Sequence, residues 1–372
     1  MRGSFRVARV NGIDIRVHFT FLLVLGWVAL DWGAVRGQGP MGALYGVIFV
    51  GLLFLCVTLH ELGHSLVAQR QGAVVRGITL LPIGGVAQLE GEPERPIQEL
   101  WMAVAGPAVN VALAVIIGAF TLPLLGWRVL EGWGLLIGRL NGLSLERLLV
   151  ELMVANVGLA IFNLLPAFPM DGGRVLRSLL ALRIDEVQAT HIAARVGQGL
   201  AVLFGLVGLF TGAFNLLLIA GFIFFGAEQE WRGKQVTAAL RQVPAQAALL
   251  HGTRLSPQDP LSRAIDLSLR TGQTDFAIFD GGYLVGVLTR SDVVNRFHAH
   301  GPNVPVGRVM RTDFPVAQAN ESLIDLYRKM RQSGSSVISV VDDGRFLGLA
   351  TAESVRRAMR RPRTGEWRVV GR

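Results

Sequence analysis

Residues His60-Glu61-Leu62-Gly63-His64 set two imidazoles and a carboxylate within five positions, at the end of an apolar run. On a helix, positions i and i+4 differ by about 40° in azimuth and about 6 Å along the axis, so both rings face one point and can share a Zn2+. A glutamate beside such a metal can take a proton from water on the zinc and hand it to a leaving amine. A pattern with three fixed positions also recurs by chance. Here, though, three ionisable groups end an apolar helix, where burial is costly unless they act together. His60 and His64 are therefore candidate metal ligands, and Glu61 is the candidate general base.

A tetrahedral zinc that keeps one position for water needs a third protein ligand. Asp171 is the candidate, in Asn163-Leu164-Leu165-Pro166-Ala167-Phe168-Pro169-Met170-Asp171-Gly172-Gly173. Its depth suits the role. His60 lies about 28 Å from the outer end of its apolar run and Asp171 about 34 Å from the outer end of its own, so both land near one membrane surface. Asp before Gly-Gly-Arg would equally serve as a helix N-cap.

The elements that must position these groups are apolar helices. The chain has 372 residues, 51% hydrophobic and 17% charged, with a mean hydropathy of +0.45. That composition excludes a disordered or a disulfide-rich secreted chain, and the single Cys56 excludes an internal disulfide. Cys56 lies one turn before His60 and reads as a packing residue. Apolar stretches at 18–32, 41–67, 100–125, 148–168, 193–210 and 213–227 predict about six spans. Five spans or a re-entrant pair is the alternative, because only Thr211 and Gly212 separate the last two. On the six-span arrangement 11 arginines fall on one side and four on the other, which predicts a multi-pass cell-membrane protein with both termini cytoplasmic. No small-residue cleavage site follows the first stretch, so it reads as an uncleaved anchor. Strand-like alternation at 5–17 and the glycine-punctuated run 74–90 predict a small membrane-associated sheet or a re-entrant loop at the cytoplasmic face.

The formal net charge is +9, but residues 1–228 carry 15 basic and 14 acidic groups while the remaining 144 carry 21 and 13. The expected division is a membrane domain at 1–228, a linker at 229–244, and a soluble α/β tail. No aromatic-basic interleaving accompanies the tail's charge, so nucleic acid is not an expected partner. Basic groups beneath an anionic leaflet are attracted to lipid, and they could bind phosphates.

Within the tail a repeat appears at an offset of 62: Leu261 with Leu323, Asp280 with Asp342, Gly282 with Gly344, Gly286 with Gly348 and Thr289 with Thr351. Each copy predicts a helix, a β-branched strand, an Asp/Gly turn, a second strand and a helix.

Four segments together resemble the site-2 protease family of intramembrane zinc metalloproteases over roughly the first 230 residues. They are the HELGH run, the Asn163-x-x-Pro166-x-x-Pro169-x-Asp171-Gly172 run, Ala105-Gly106-Pro107 with Asn110, and the stretch from Asn11-Gly12 to His18. The resemblance implies His60, His64 and Asp171 as zinc ligands and Glu61 as the general base. It implies Asn163 as the group that positions the substrate backbone or the oxyanion. It also implies that Ile83, Gly84 and Gly85 belong to a sheet edge that pairs with an unwound substrate strand; a merely structural loop is the alternative.

The repeat in turn resembles a pair of CBS domains, expected at 245–300 and 301–362 with a tail at 363–372. That family holds adenosine nucleotides, here ATP or AMP, on a Gly-x-x-Thr-x-x-Asp run. The first copy has it as Gly286, Thr289 and Asp292; the second has Gly348 and Thr351 but Ser354 where Asp is expected. The resemblance implies Thr289, Asp292 and Thr351 as nucleotide-binding residues and a homodimer through the CBS domains. A purely structural dimerisation module is the alternative.

Three functions compete. One is an endopeptidase that cuts a membrane-anchored protein near the cytoplasmic face, such as an anti-sigma factor or a membrane-tethered transcription regulator. Another is a CBS-regulated transporter or channel with an intramembrane ion site, and the third is a metal-binding scaffold. Only the first has a use for Glu61 between two histidines at i and i+4.

Overall fold

The computed structural model describes residues 3–82, 84–90, 95–125, 144–250 and 252–360. Ile83 and the 363–372 tail lie outside the described residues. The chain divides into two compact units, Met1–Arg232 and Gly233–Arg372.

The first unit opens with strands β1 (Ser4–Val10) and β2 (Ile13–His18). Asn11 and Gly12 join them with φ of 47° and 82°, the positive pair that a two-residue hairpin requires and that Asn-Gly tolerates. Strands β3 (Val74–Leu81) and β4 (Gly84–Glu90) complete a sheet of order β1-β2-β3-β4. β2 and β3 run parallel, with Asp14 opposite Gly77 and Val17 opposite Leu80; the other two pairings are antiparallel. Ile13, Val75, Ile78 and Leu80 pack against Ala68 and Met102. The sheet is thereby seated on two helices, and β4 is an edge strand.

The helices are α1 (Thr20–Leu30), α2 (Gly39–Arg70), α3 (Pro96–Leu125), α4 (Leu145–Asn163), α5 (Asp171–Ala181), α6 (Glu186–Thr211) and α7 (Phe214–Arg241). Among the described residues, three helices are long and apolar enough to cross a membrane: Gly39–Arg70, Pro96–Thr121 within α3, and Glu186–Thr211. The other apolar stretches fold differently from their expected extent. The first is an 11-residue helix followed by a π turn, Asp31–Val35. The 148–168 stretch stops being helical at Asn163, and the 213–227 stretch continues into a charged segment. Leu23, Trp27, Phe120, Leu209, Phe210 and Phe225 stand exposed, an outer surface that lipid solvates better than water. The expected linker at 229–244 is helical through Arg241. Its Glu, Gln, Lys, Arg and Ala residues are good helix formers, so they prolong the apolar helix without a break.

The second unit contains α8 (Leu261–Thr271), β5 (Phe276–Asp280), β6 (Tyr283–Leu288) and α9 (Arg290–His300). Then follow β7 (Val316–Gln318), α10 (Leu323–Ser333), β8 (Val337–Asp342), β9 (Arg345–Thr351) and α11 (Ala352–Arg360). The repeat extends to the caps: α8 and α10 both end on a left-handed glycine, Gly272 and Gly334. Packing crosses the expected boundaries at 300 and 301. Ala245 and Ala248 lie in the core of the second repeat with Leu323, Leu326 and Ile338. Val306 and Val309 complete the first, with Leu255 and Leu261. The 62-residue spacing shows where equivalent elements recur, but a connecting segment settles on whichever copy buries its apolar residues.

Candidate metal centre

α2 carries His60 and His64 on one face, and α3 packs against that face in antiparallel fashion. Gly106, inside α3, makes the approach possible. A Cβ there would lie 2.7 Å from His60 Cε1 and 2.5 Å from His64 Cε1, and closer still to His64 Nε2. Glycine within a helix is costly, and here the cost admits two imidazole rings. His64 Nδ1 donates to the carbonyl of Met102 at 2.6 Å. A carbonyl can only accept, so Nε2 is left with its lone pair facing inward.

Asp171 comes from the other side. After α4 ends at Asn163 the chain turns through residues 164–170 and re-enters a helix at Asp171. Gly172 and Gly173 permit that tight return: a side chain at 173 would meet Phe168 N at 2.6 Å. The turn is anchored by Phe168, buried against Ala193, Ala194 and Ala227. The Arg177 guanidinium lies over the Phe168 ring at 5.2 Å; it pairs with Glu99 of α3 and, at 2.7 Å, with Glu230 of α7. Met170, not Asp171, occupies the cap position of α5, and no side chain caps that helix. The carboxylate of Asp171 is thus free for another task.

Three atoms converge. His60 Nε2 and His64 Nε2 are 3.1 Å apart, and Asp171 Oδ2 lies 3.3 Å from the first and 3.2 Å from the second. Oδ2 makes no hydrogen bond of acceptable geometry despite being buried. Among the described residues this is the one group of three such side chains able to hold a metal ion. A tetrahedral zinc with N and O ligands at about 2.0–2.1 Å has ligand–ligand edges of about 3.3 Å. The donor set and the triangle fit zinc and leave a fourth position for water.

Glu61 projects from the same turn of α2 toward the sheet. A Cβ at Gly85, near the start of β4, would lie 3.1 Å from Glu61 Cδ and 3.4 Å from Oε1. The carboxylate therefore sits against the end of an edge strand whose outer backbone groups are unpaired by β3. Gly84, with φ of 138°, adopts a conformation few other residues can. Asn163 closes α4, and its Nδ2 donates to the Leu159 carbonyl at 2.9 Å; a carboxamide nitrogen has a second hydrogen to give. Cys56 is buried and 3.3 Å from Asn156 Nδ2, a packing position. The sequence marked Gly106 only as part of a motif. A glycine followed by proline inside an apolar helix was the available signal of a close packing contact.

The expected nucleotide residues separate. Thr289 and Asp292 are buried and form a capping box at the start of α9. Asp292 also takes a bidentate ion pair from Arg311, Nε to Oδ2 and Nη2 to Oδ1, both at 2.8 Å. Burial works against its charge, but the hydrogen bonds from Arg311 and Thr289 outweigh it and hold the carboxyl below its ordinary range. A cleft of about 400 Å³ lies between the two copies, lined by Arg254, Thr274 and Asp275 from the first and by Thr351, Ser354 and Arg357 from the second among others. The Arg254 guanidinium lies 4.5 Å from the Phe279 ring and 5.9 Å from that of Phe346. Ser354 replaces the expected Asp as a cap: its Oγ accepts from Thr351 N at 2.9 Å and donates to the Ala248 carbonyl at 2.7 Å.

Sequence comparison agrees with these two halves. The profile of peptidase family M50 matches residues 48–204, and that of the CBS domain matches 253–299 and 306–361. The chain is 30% identical over 362 residues to a zinc metalloprotease of Methanocaldococcus jannaschii, covering 96% of this chain and 97% of that one. It is 25% identical over 224 residues to stage IV sporulation protein FB of Bacillus subtilis, covering 59% of this chain and 67% of the other. Among solved structures, the site-2 protease from Methanocaldococcus jannaschii aligns at 35% identity over 62% of this chain and 95% of that one, with a TM-score of 0.43.

Proposed function

Since the chain belongs to peptidase family M50 and is a membrane zinc metalloprotease of the site-2 protease type with CBS domains, we propose that it is an intramembrane endopeptidase. It cleaves a transmembrane segment of a membrane-anchored protein near the cytoplasmic face, in regulated intramembrane proteolysis. The observation that carries this is the triangle of His60, His64 and Asp171, with Glu61 next to His60 on α2 and its side chain against Gly85 of β4.

In this reading His60, His64 and Asp171 hold zinc. Bound there, zinc supplies Lewis-acid polarisation of the scissile carbonyl and lowers the pKa of water in its open position. Glu61 takes the proton from the attacking water and passes it to the amine nitrogen as the C–N bond breaks. Asn163 offers its second N–H to the oxygen on which negative charge develops. The peptide bond of a transmembrane helix is sequestered, so the substrate must unwind. Gly84 and Gly85, with Ile83 before them, leave room for an extended strand to add to β4 beside Glu61.

The remaining expectations stand as parts of the same proposal. The apolar stretches make about six passes with both termini and the CBS domains in the cytoplasm, the β1–β4 sheet lies at that face, and the CBS pair supports a homodimer. ATP or AMP occupies the cleft at Thr351, whose two arginines suit phosphates. Asp292, already paired with Arg311, and Thr289, which caps α9 together with it, contribute structure. The substrate is a membrane-tethered regulator of transcription or an anti-sigma factor.

The test is Glu61→Gln in cells co-expressing a transmembrane substrate. Cleavage should fall by about 10²- to 10⁴-fold while zinc content stays at one per chain. Persistent cleavage would refute the mechanism, and unchanged metal-dependent transport with no cleavage in either form would favour a transporter.

A further inference from the structure

The two zinc-ligating histidines are supported unequally. His64 Nδ1 is fixed by the Met102 carbonyl, whereas His60 Nδ1 is buried with no hydrogen-bond partner among the described residues. Three more side-chain atoms share that state in the helices around it: Nδ2 and Oδ1 of Asn110 on α3, and Oδ1 of Asn156 on α4. Both asparagines are fully buried. Interiors hold few polar atoms of this kind, and each asks for an explanation.

The packing brings them to one level. Antiparallel α2 and α3 meet at His64 with Met102 and at His60 with Gly106; one further turn along both helices places Asn110 beside Cys56. Asn156 reaches the same turn of α2, since its Nδ2 is 3.3 Å from Cys56 Sγ. The His60 ring also reaches α3: Cε1 faces Gly106, and since Nε2 on one side of that carbon is turned to Asp171 and His64, Nδ1 lies on its other side. These four atoms match as donors and acceptors, while Ser65 Oγ, also buried without a partner, lies beyond His64 at the other end of this stretch of α2. His60 Nδ1–H and Asn110 Nδ2 are donors; Asn110 Oδ1 and Asn156 Oδ1 are acceptors.

We propose that Asn110 is the positioning residue for the zinc ligand His60. Its Oδ1 accepts from His60 Nδ1–H, and its Nδ2 donates to Asn156 Oδ1. Asn156 Nδ2 ends the chain on the Leu152 carbonyl at 2.8 Å, and each step left open in the structure closes by a small side-chain rotation or over one buried water. The chain holds the His60 tautomer whose Nε2 lone pair faces the metal, as Met102 does for His64. Asn110 is fully buried and does not touch the substrate, so its influence passes through His60. The inference rests on the reading of His60 as a zinc ligand.

The test measures zinc affinity of the full chain by chelator competition, with the thermal melt of the metal-free protein alongside. Asn110→Leu should bind zinc about 10- to 100-fold more weakly, while the metal-free melt falls only modestly, by the cost of leaving His60 Nδ1 and Asn156 Oδ1 without a partner. Asn110→Asp keeps the acceptor and should bind at wild-type affinity or tighter. Asn156→Leu should weaken zinc less than Asn110→Leu does, and the double variant should be no weaker than Asn110→Leu alone. The proposal is overturned by zinc binding in Asn110→Leu within twofold of wild type, or by equal loss in Asn110→Asp. If Asn110→Leu does not fold, wild-type affinity in Asn156→Leu overturns it. A wild-type chain that takes up no stoichiometric zinc would refute the metal site itself, a distinguishable result.

Discussion

Gly106→Ala adds one methyl group to the interior of α3, and the structure determines where it goes. The new carbon would stand 2.7 Å from His60 Cε1 and 2.5 Å from His64 Cε1, against an ordinary carbon–carbon contact of about 3.5–4.0 Å. Each ring must retreat by about 1 Å, or α3 must move away by as much. Ligand distances at a metal tolerate about 0.2 Å, and the two Nε2 atoms begin only 3.1 Å apart. A shift of that size takes at least one nitrogen off the common point. We expect zinc affinity to fall by at least about 100-fold, equivalent to about 2.7 kcal/mol, with proteolysis lost in parallel. The helix itself gains about 0.5–1 kcal/mol from replacing an interior glycine, so the loss is not one of folding. The assay is zinc stoichiometry and chelator competition on purified protein, with a thermal melt beside it. Gly51→Ala on α2 is the control, because a Cβ there meets nothing within 4 Å. Native zinc binding and cleavage in Gly106→Ala would refute the claim that α3 is held against the two rings.

Other substitutions separate the remaining parts. Gly85→Ala presses on the Glu61 side chain, closest at Cγ and 3.1 Å from Cδ; cleavage should drop about tenfold or more while zinc is retained, the opposite pattern to Gly106→Ala. Dialysis against a strong chelator should abolish cleavage, and zinc alone should restore it; recovery by magnesium but not zinc would contradict the N/N/O donor set. Arg254→Ala should weaken ATP or AMP binding about tenfold or more, the worth of one charge-assisted contact; unchanged titration by calorimetry would place the nucleotide elsewhere. Arg311→Gln tests Asp292 by pH. The folded carboxyl titrates below its unfolded value of about 3.9, so the pair's contribution is full above that value and is lost as pH falls through the folded pKa. Because the Arg311 side chain is 48% exposed, the deficit at pH 7 should be only about 1 kcal/mol, and it should shrink in denaturant melts as pH falls below the unfolded carboxyl's range.

Much of this protein was legible locally. The spacing of His60 and His64 guarantees a shared face on any helix, Asn11-Gly12 encodes its own hairpin, and the offset of 62 announced a doubled element pattern down to the paired cap glycines. These features depend on backbone geometry over a few residues, or on simple repetition. The extent of the apolar elements was less legible, since hydropathy does not stop where a helix does: Asn163 ends α4 inside an apolar stretch, and α7 runs on past one. What only the tertiary structure decided lies between residues distant in sequence. It turned Asp171 toward histidines more than a hundred positions earlier, set Gly106 against both rings, brought Gly85 to Glu61, and opened a cleft between the two repeats while Arg311 occupied Asp292 in the first. A residue's type states which bonds it can make, and packing alone states which partner is within 3 Å to make them with.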